Sequence, residues 1–579
     1  MLTSLILLSL LTLPPAADRK GAPIAKAEEL NRHAEAPDSH AGETGRSALE
    51  VDFRGISYLG EKELGYRYLD YPRLKILPDG SYFLLYQTRD QERGKNHDGV
   101  LSAFSRDGRT WERGPALWEK RPVRDPEGNP DIRYYATADA IVLQNGDLLA
   151  FAQYRLLNGS MKYRKSWGLA MKRSKDLGKT WSEETELFHD RCWEPFPLQL
   201  PNGEIQVYLT HTNHDWDRQL TDITLLRSFD NGETWTTLSP AMRFADGTSR
   251  ADRKSVDMPP PQGESTAHFT SQMPAAVLLH DGKTILAAYE SVRLEPSHKL
   301  MLSLGWNNAS WPQGTLTGTR EGPEKIMKNF VGGQAPYLAQ FPSGETVLSY
   351  CGNFWYIRLA DERGKGLAKA PFFSPVKLYA RWGNLEIENA HLIWATAANV
   401  HKDPSEMYLV RDIVLAPMRL NHRIQAPSLS PEIDGDNADW AAVDESFFLG
   451  SDSQAQCCFR FAQDKKYLYV CVDCLDRELH AEDMLDLCFS DGKDASTLRK
   501  ITLAADKDDT GERQGENVKV AMKHYPGEGY VAEFRIRRDA LPIAGKRIFF
   551  NAILRKGTLK DTFNFRTLDK VDNWFEVKL

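Results

Sequence analysis

Beyond its first residues the chain has no stretch apolar enough for a membrane helix, and no run of lysine or arginine stands out in its 579 residues. Basic residues number 73 against 80 acidic ones, a net charge of -7, which gives no support for nucleic-acid binding. The seven cysteines are an odd number, and Cys471 and Cys474 form a lone CxxC with no second pair at zinc-site spacing. Buried thiols or one disulfide are expected there, with no metal and no cofactor. The apolar run Leu2–Leu13 lacks a charged segment before it and is too short to span a bilayer. It reads as the core of a signal peptide over 1–17, cleaved after Ala17, followed by a polar linker over 18–50; a secreted or periplasmic protein is expected. A hydrophobic content of 41% with 26% charged residues fits globular folding, and the length calls for two or more domains.

What is present is repetition. "FSRDGRTW" (104–111), "RSKDLGKTW" (173–181) and "RSFDNGETW" (227–235) share the form Ser-x-Asp-x-Gly-x-Thr-Trp, with one residue missing from the first copy, whose turn should be tighter. Glycine supplies positive φ, the Ser and Asp oxygens accept turn N–H groups, and tryptophan anchors the turn in a core. A longer repeat surrounds these turns. "YPRLKILPDGSYFLLYQTR", "ADAIVLQNGDLLAFAQYR", "EPFPLQLPNGEIQVYLTH", "MPAAVLLHDGKTILAAYE" and "APYLAQFPSGETVLSYCG" each read as a hairpin whose turn glycine is Gly80, Gly146, Gly203, Gly282 or Gly344. Hairpins at this period predict a β-propeller over 51–424. Six blades are expected, the sixth around 388–412, with five the alternative if that unit fails; a strand from 51–58 is the candidate for closing the ring.

These residues resemble the sialidase-like superfamily, whose six-bladed propellers carry such "Asp-box" turns on the blade periphery. The resemblance therefore implies a structural role for the turns, and the chemistry is sought at the other end of the hairpins. Aligned on the glycines, Tyr71, Thr137, Glu194, Met273 and Ala335 fall nine residues before, and Thr88, Tyr154, His211, Glu290 and Gly352 eight after. Pro72, Pro195, Pro274 and Pro336 support the first register. Glu194 and Glu290 thus reach the same end of neighbouring units, and a pair of carboxyl groups is what glycoside hydrolysis requires. The plain alternative is two solvated charges at strand ends.

Tyr71-Pro72-Arg73, Trp193-Glu194-Pro195 and Tyr289-Glu290 resemble the motifs of glycoside hydrolase family 93, the exo-acting arabinanases. That resemblance implies a retaining exo-hydrolase with Glu194 and Glu290 as its catalytic pair. The segment 244–269 reads as an insertion between them and brings in Glu264 as a lesser candidate. Tyr71, Arg73, Asp98, Asp139, Trp193 and His211 are candidate substrate contacts. An exo-α-sialidase is the rival hydrolase, although Asp70 stands where sialidases carry a substrate-binding arginine. Arg73, Arg89 and Arg293 could rebuild such an anion site. A metal site in 210–219, with His211, His214, Asp215 and Asp217, matches no known ligand spacing. The rival from another class is a non-catalytic glycan-binding propeller.

From 425 to 579 the pattern changes to "IDGDNADW" and alternating strands such as "CCFRFAQDKKYLYVCVDC", which predict a β-sandwich. "IDGDNADW", "KYLYVCVDC" and "DNWFEVKL" resemble a family 9 carbohydrate-binding module. Trp440 then reads as structural, while Trp574 stays open between core and sugar platform. The whole is an all-β chain, a six-bladed β-propeller followed by a β-sandwich, with a carbohydrate as its partner.

Overall fold

The computed structural model describes residues 43–44 and 47–579, apart from 90–96, 161, 216–217, 241–271, 292–300, 309–329, 353, 365, 368–369, 371, 377–378, 403–408, 451–454, 506–508, 514–516, 558–560 and 565. Six antiparallel sheets follow one another along the first part, each starting from an inner strand: Leu69–Ile76, Pro130–Val142, Cys192–Gln199, Gln272–Leu278, Gln334–Gln340 and Ala380–Ile387. These are blades 1 to 6 of a propeller. Contacts run between successive inner strands and from the sixth back to the first, which closes the ring.

The sixth blade begins earlier than its weak sequence signal, at Ala380, and continues through Leu392–Lys402 and Leu409–Asn421. Its outer strand is Ser47–Val51, from near the first described residues, paired from Ala48↔Asn421 to Val51↔Met418. Ser57–Leu59, within the span expected to close the ring, pairs instead further along the Leu409–Asn421 strand.

Each repeated Ser/Asp turn links the third and fourth strands of a blade, at the end where the first hairpin turns. In the second copy Ser174 Oγ accepts from Gly178 N at 2.8 Å, Asp176 accepts from Thr180 N at 2.9 Å, and Trp181 Nε1 donates to Gly178 O at 2.9 Å. The third copy repeats these bonds through Ser228, Asp230 and Trp235. Leu177 and Asn231 precede their glycines at φ 62° and 56°, and the shorter first copy has no counterpart to them. The tryptophans pack on the preceding blade, Trp181 5.9 Å from Phe83 and Trp235 5.7 Å from Phe151. A side chain at Gly232, φ 87°, would approach Leu149 of that blade to 2.8 Å. The motif is therefore an inter-blade fastener. Asp176→Ala is expected to cost on the order of 1 kcal/mol, as losing a capping side chain does, and to leave turnover per folded molecule unchanged. Denaturant titration beside active-site titration checks both halves.

The last part folds as two facing six-stranded sheets. One holds Ser446–Gly450, Ala455–Gln463, Tyr467–Asp476, Gly529–Arg537, Val518–Tyr525 and Asp509–Arg513. The other holds Ile424–Gln425, Phe575–Lys578, Arg547–Lys556, Met484–Ser490, Arg499–Ala504 and Asp561–Asn564. Phe447, Phe459, Phe461, Phe550 and Phe575 form the aromatic centre between them. Lys556 ties the two sheets at one edge: its Nζ donates to Asp476 at 2.7 Å, Asp483 at 2.5 Å and the Glu478 carbonyl at 2.7 Å. All seven cysteines are buried and free.

Propeller and sandwich meet beside the ring closure. Gln456 accepts from Phe53 N at 3.1 Å and donates to Val51 O at 2.7 Å. The Asn421 amide exchanges bonds with the Phe448 backbone at 2.7 and 2.9 Å, and Arg54 pairs with Asp473 at 3.0 Å. No helix among the described residues is long and apolar enough to cross a membrane.

Candidate active site

Every inner strand carries the same irregularity. Tyr71, Thr137, Glu194, Met273, Ala335 and Trp382 all have positive φ, between 45° and 53°, and the strand ladder skips at each of them. None is glycine, and a left-handed conformation at an L-residue costs about 1–2 kcal/mol. Six bulges at one level form a strained collar at the end of the channel opposite the hairpin turns. At four of the six bulges a side chain from the preceding blade's second strand accepts from the N–H that the bulge releases, while Glu194 N donates to Thr137 Oγ1 on the preceding inner strand at 3.3 Å. Thr137 N donates to Gln87 at 2.7 Å, Met273 N to Thr210 at 2.9 Å, Ala335 N to Glu290 at 2.7 Å, and Trp382 N to the Cys351 sulfur.

This collar corrects the register for the second strands. Glu290 is paired with Gln272, as Thr210 is with Trp193, Gln87 with Asp70 and Cys351 with Gln334. Glu290 thus corresponds to Thr210, whereas His211 lies one residue further on. The shift arises because the turn from Leu279 to Thr284 is one residue longer than its counterpart from Leu77 to Ser81.

Two carboxyl groups lie on the collar of blades 3 and 4. Glu194 is itself a left-handed residue, partly open to solvent, and its Oε2 accepts from Thr210 Oγ1 at 2.9 Å. Glu290 is 2% exposed, and its oxygens accept from Gln272 Nε2 at 2.5 Å and Ala335 N at 2.7 Å. Thr210 bonds both Glu194 and Met273 N, and the neighbouring Gln272 holds Glu290, so a short polar chain joins the pair. Desolvation, then the charge of Glu290, push the Glu194 carboxyl up to about 8. Burial raises Glu290 to about 7, against the pull of the Gln272 and Ala335 donors.

The other candidates divide. Tyr71 is buried and stacks on Trp382 with centroids 4.8 Å apart and planes at 15°. Its hydroxyl pKa is raised by desolvation, then by the Glu194 charge. Arg73 and Asp139 are engaged with each other at 3.1 Å, deep on the axis, where Arg73 also donates to the Pro72 and Trp382 carbonyls. Tyr337 donates to Asp139 at 3.2 Å, and Lys75 joins Tyr337 to Glu386 at 3.3 Å each, completing a buried brace across blades 1, 2, 5 and 6. Trp193 turns toward blade 2, 4.7 Å from Trp167 and edge-on to it. His211 bonds Asp190 at 3.2 Å and packs on Phe188. Asp98 lies on the strand His97–Ser105, but its side chain, like those of Arg89, His214 and Asp215, is outside the described residues. Glu264, Arg293 and Asp217 also lie outside them, and no metal-holding group occurs among the described residues.

Trp382, Thr210 and Gln272 were not singled out by the sequence. Blade 6 turns through Glu388–Asn389–Ala390–His391 with no glycine to measure from, which hid Trp382.

No protein-family model matches the chain, and no curated protein matches it. Among solved structures it is similar to a protein of unknown function from Dyadobacter fermentans, with 14% identity over 64% of this chain and 99% of that one and a TM-score of 0.45. It is similar to the GH93 α-L-arabinofuranosidase of Fusarium graminearum in complex with arabinobiose, at 15% identity, 62% and 97% coverage and a TM-score of 0.42. The leech intramolecular trans-sialidase is 12% identical over 65% of this chain and 70% of its own, with a TM-score of 0.41.

Proposed function

We propose that the chain is an exo-acting glycoside hydrolase of the sialidase-like kind, exported by its first 17 residues, with its catalytic pair on the collar of blades 3 and 4. The observation that carries this is two linked carboxyl groups held above the ordinary carboxylate range, Glu194 higher than Glu290. Glycosidic cleavage needs one carboxyl that keeps its proton near neutral pH and one that has lost it. Glu194 suits the acid. It is partly open, and desolvation and the Glu290 charge help it keep its proton against the Thr210 and Met273 donors. Glu290 suits the base or nucleophile, because it is the lower of the two and the Gln272 and Ala335 donors favour its ionised form.

A sialidase is less well supported. Asp70, at the position of the sialidase arginine, is fully buried and bound by Arg411 Nη1 at 2.7 Å to both oxygens. The sandwich gives little support to a sugar platform built on tryptophan. Trp440 is buried and donates to Glu533 at 2.8 Å, and Trp574 is buried and donates to Thr567 O at 3.0 Å.

The test is a screen over aryl glycosides and arabinan, rhamnan and sialyl oligosaccharides, followed by a pH profile on the best substrate. Turnover is expected to rise as Glu290 ionises near pH 7 and to fall as Glu194 loses its proton near pH 8. Glycan binding with no turnover on any substrate would favour the non-catalytic reading.

A further inference from the structure

Beside Glu194 the rim between blades 2 and 3 holds an arginine that the proposed chemistry does not use. Arg155, at the end of the strand Leu148–Leu156, has its guanidinium 4.5 Å from the Trp193 ring centre, 4.6 Å from Trp167 and 4.9 Å from Tyr134. Its Nε donates to the Tyr134 hydroxyl. Among the described residues no carboxylate pairs with it. The nearby Asp131 is engaged elsewhere, accepting from Gly159 N at 2.8 Å, Asn158 N at 3.1 Å and Ile132 N at 2.7 Å. Arg191, also over Trp167 at 5.7 Å, is buried and donates to Ser160 O at 3.5 Å.

Aromatic faces fix the plane of a guanidinium without neutralising it, and a planar fork of donors binds carboxylate and sulfate oxygens two at a time. Arg155 is half-buried, so its charge is within reach of solvent and of a ligand. Trp193 precedes Glu194 directly in the chain, on the inner strand Cys192–Gln199.

We propose that Arg155 and its aromatic cradle form a subsite for an anionic sugar residue, bearing a carboxylate or a sulfate ester, adjacent to the residue cleaved at Glu194. The inference rests on the hydrolase reading for its place beside a scissile bond, while the binding itself is testable alone. A neutral pentosan would leave this cation unpaired.

The experiment is calorimetric titration of the full-length Glu290→Gln protein with trigalacturonate, a sulfated galactose trisaccharide and arabinotriose. At least one anionic probe is expected to bind about tenfold or more tightly than arabinotriose and to weaken with added salt. Arg155→Met, checked for folding by near-UV circular dichroism, should remove that preference, and Arg155→Lys should restore part of it. The trigalacturonate and sulfated arms tell carboxylate from sulfate. Equal binding of arabinotriose, no measurable binding of either anion at millimolar concentration, or anion binding unchanged in Arg155→Met overturns the subsite. Wild-type hydrolysis of a neutral glycan that is indifferent to Arg155→Met would keep the hydrolase and discard the subsite. Arg155-dependent anion binding without hydrolysis of any glycan would do the reverse.

Discussion

Glu290→Gln is expected to lower turnover by at least about a thousandfold on every substrate, while Glu194→Gln spares substrates with good leaving groups. The difference follows from their roles. A leaving group that departs as a stable anion needs little protonation, so losing the acid costs about 10²–10⁴-fold only where the leaving oxygen is basic. The attacking or water-activating carboxylate has no such bypass. Azide added to Glu290→Ala could enter as a substitute and yield a glycosyl azide if Glu290 is the nucleophile. Full activity in both glutamine variants would end the assignment.

The same substitution has an opposite signature in stability. Glu194 keeps its proton in the folded protein up to about pH 8, whereas an unfolded glutamate loses it near 4.3. The folded state therefore binds the extra proton across that window, and stability falls as pH rises from about 4 through 8. Glu194→Gln removes this penalty. It should melt at a higher temperature than wild type at pH 8 and at the same temperature at pH 4. Thermal scans at the two pH values decide it.

The second large effect is purely structural. Lys556→Met should destabilise the sandwich by about 3–5 kcal/mol, the usual cost of removing one partner from a buried ion pair. The Lys556 side chain is 3% exposed and its two carboxylate partners 1% and 0%. Removing the ammonium would leave Asp476 and Asp483 facing each other without compensation. Adding Asp476→Asn and Asp483→Asn should recover much of the loss, because neutral amides do not repel. Calorimetry of the three variants checks both steps; a Lys556→Met protein that melts like wild type refutes the account.

How far the sequence could be read depended on its glycines. Five turn glycines located five inner strands and, nine residues before each, the left-handed position later found at Tyr71, Thr137, Glu194, Met273 and Ala335. Steric necessity made that possible, since a tight hairpin turn needs positive φ. The ruler slipped on the other side, where one extra residue between Leu279 and Thr284 put Glu290 beside Thr210 rather than His211. It gave no reading in blade 6, which turns without glycine. Neither the mutual engagement of Arg73 and Asp139 nor the Arg155 cradle was legible, because each joins side chains on different strands through contacts that no local pattern encodes. The strand Ser47–Val51 was hidden for the same reason, its partner lying at the far end of the ring.

That closing strand, with Ser57–Leu59 paired further along the same partner, clasps the propeller into a loop. Ala48 meets Asn421 across about 370 residues, and drawing such a span closed costs on the order of 5 kcal/mol of chain entropy. Five blades can assemble as they emerge from the ribosome, but the sixth must wait for the last third of the chain before its earliest-made strand finds a place. Gln456 grips the backbone at Val51 and Phe53 on one side of the clasp, and Asn421 grips Phe448 on the other. The sandwich is thus a lock on the seam through which this ring would otherwise spring open, and the protein's lifetime against unfolding should be set there rather than at any blade.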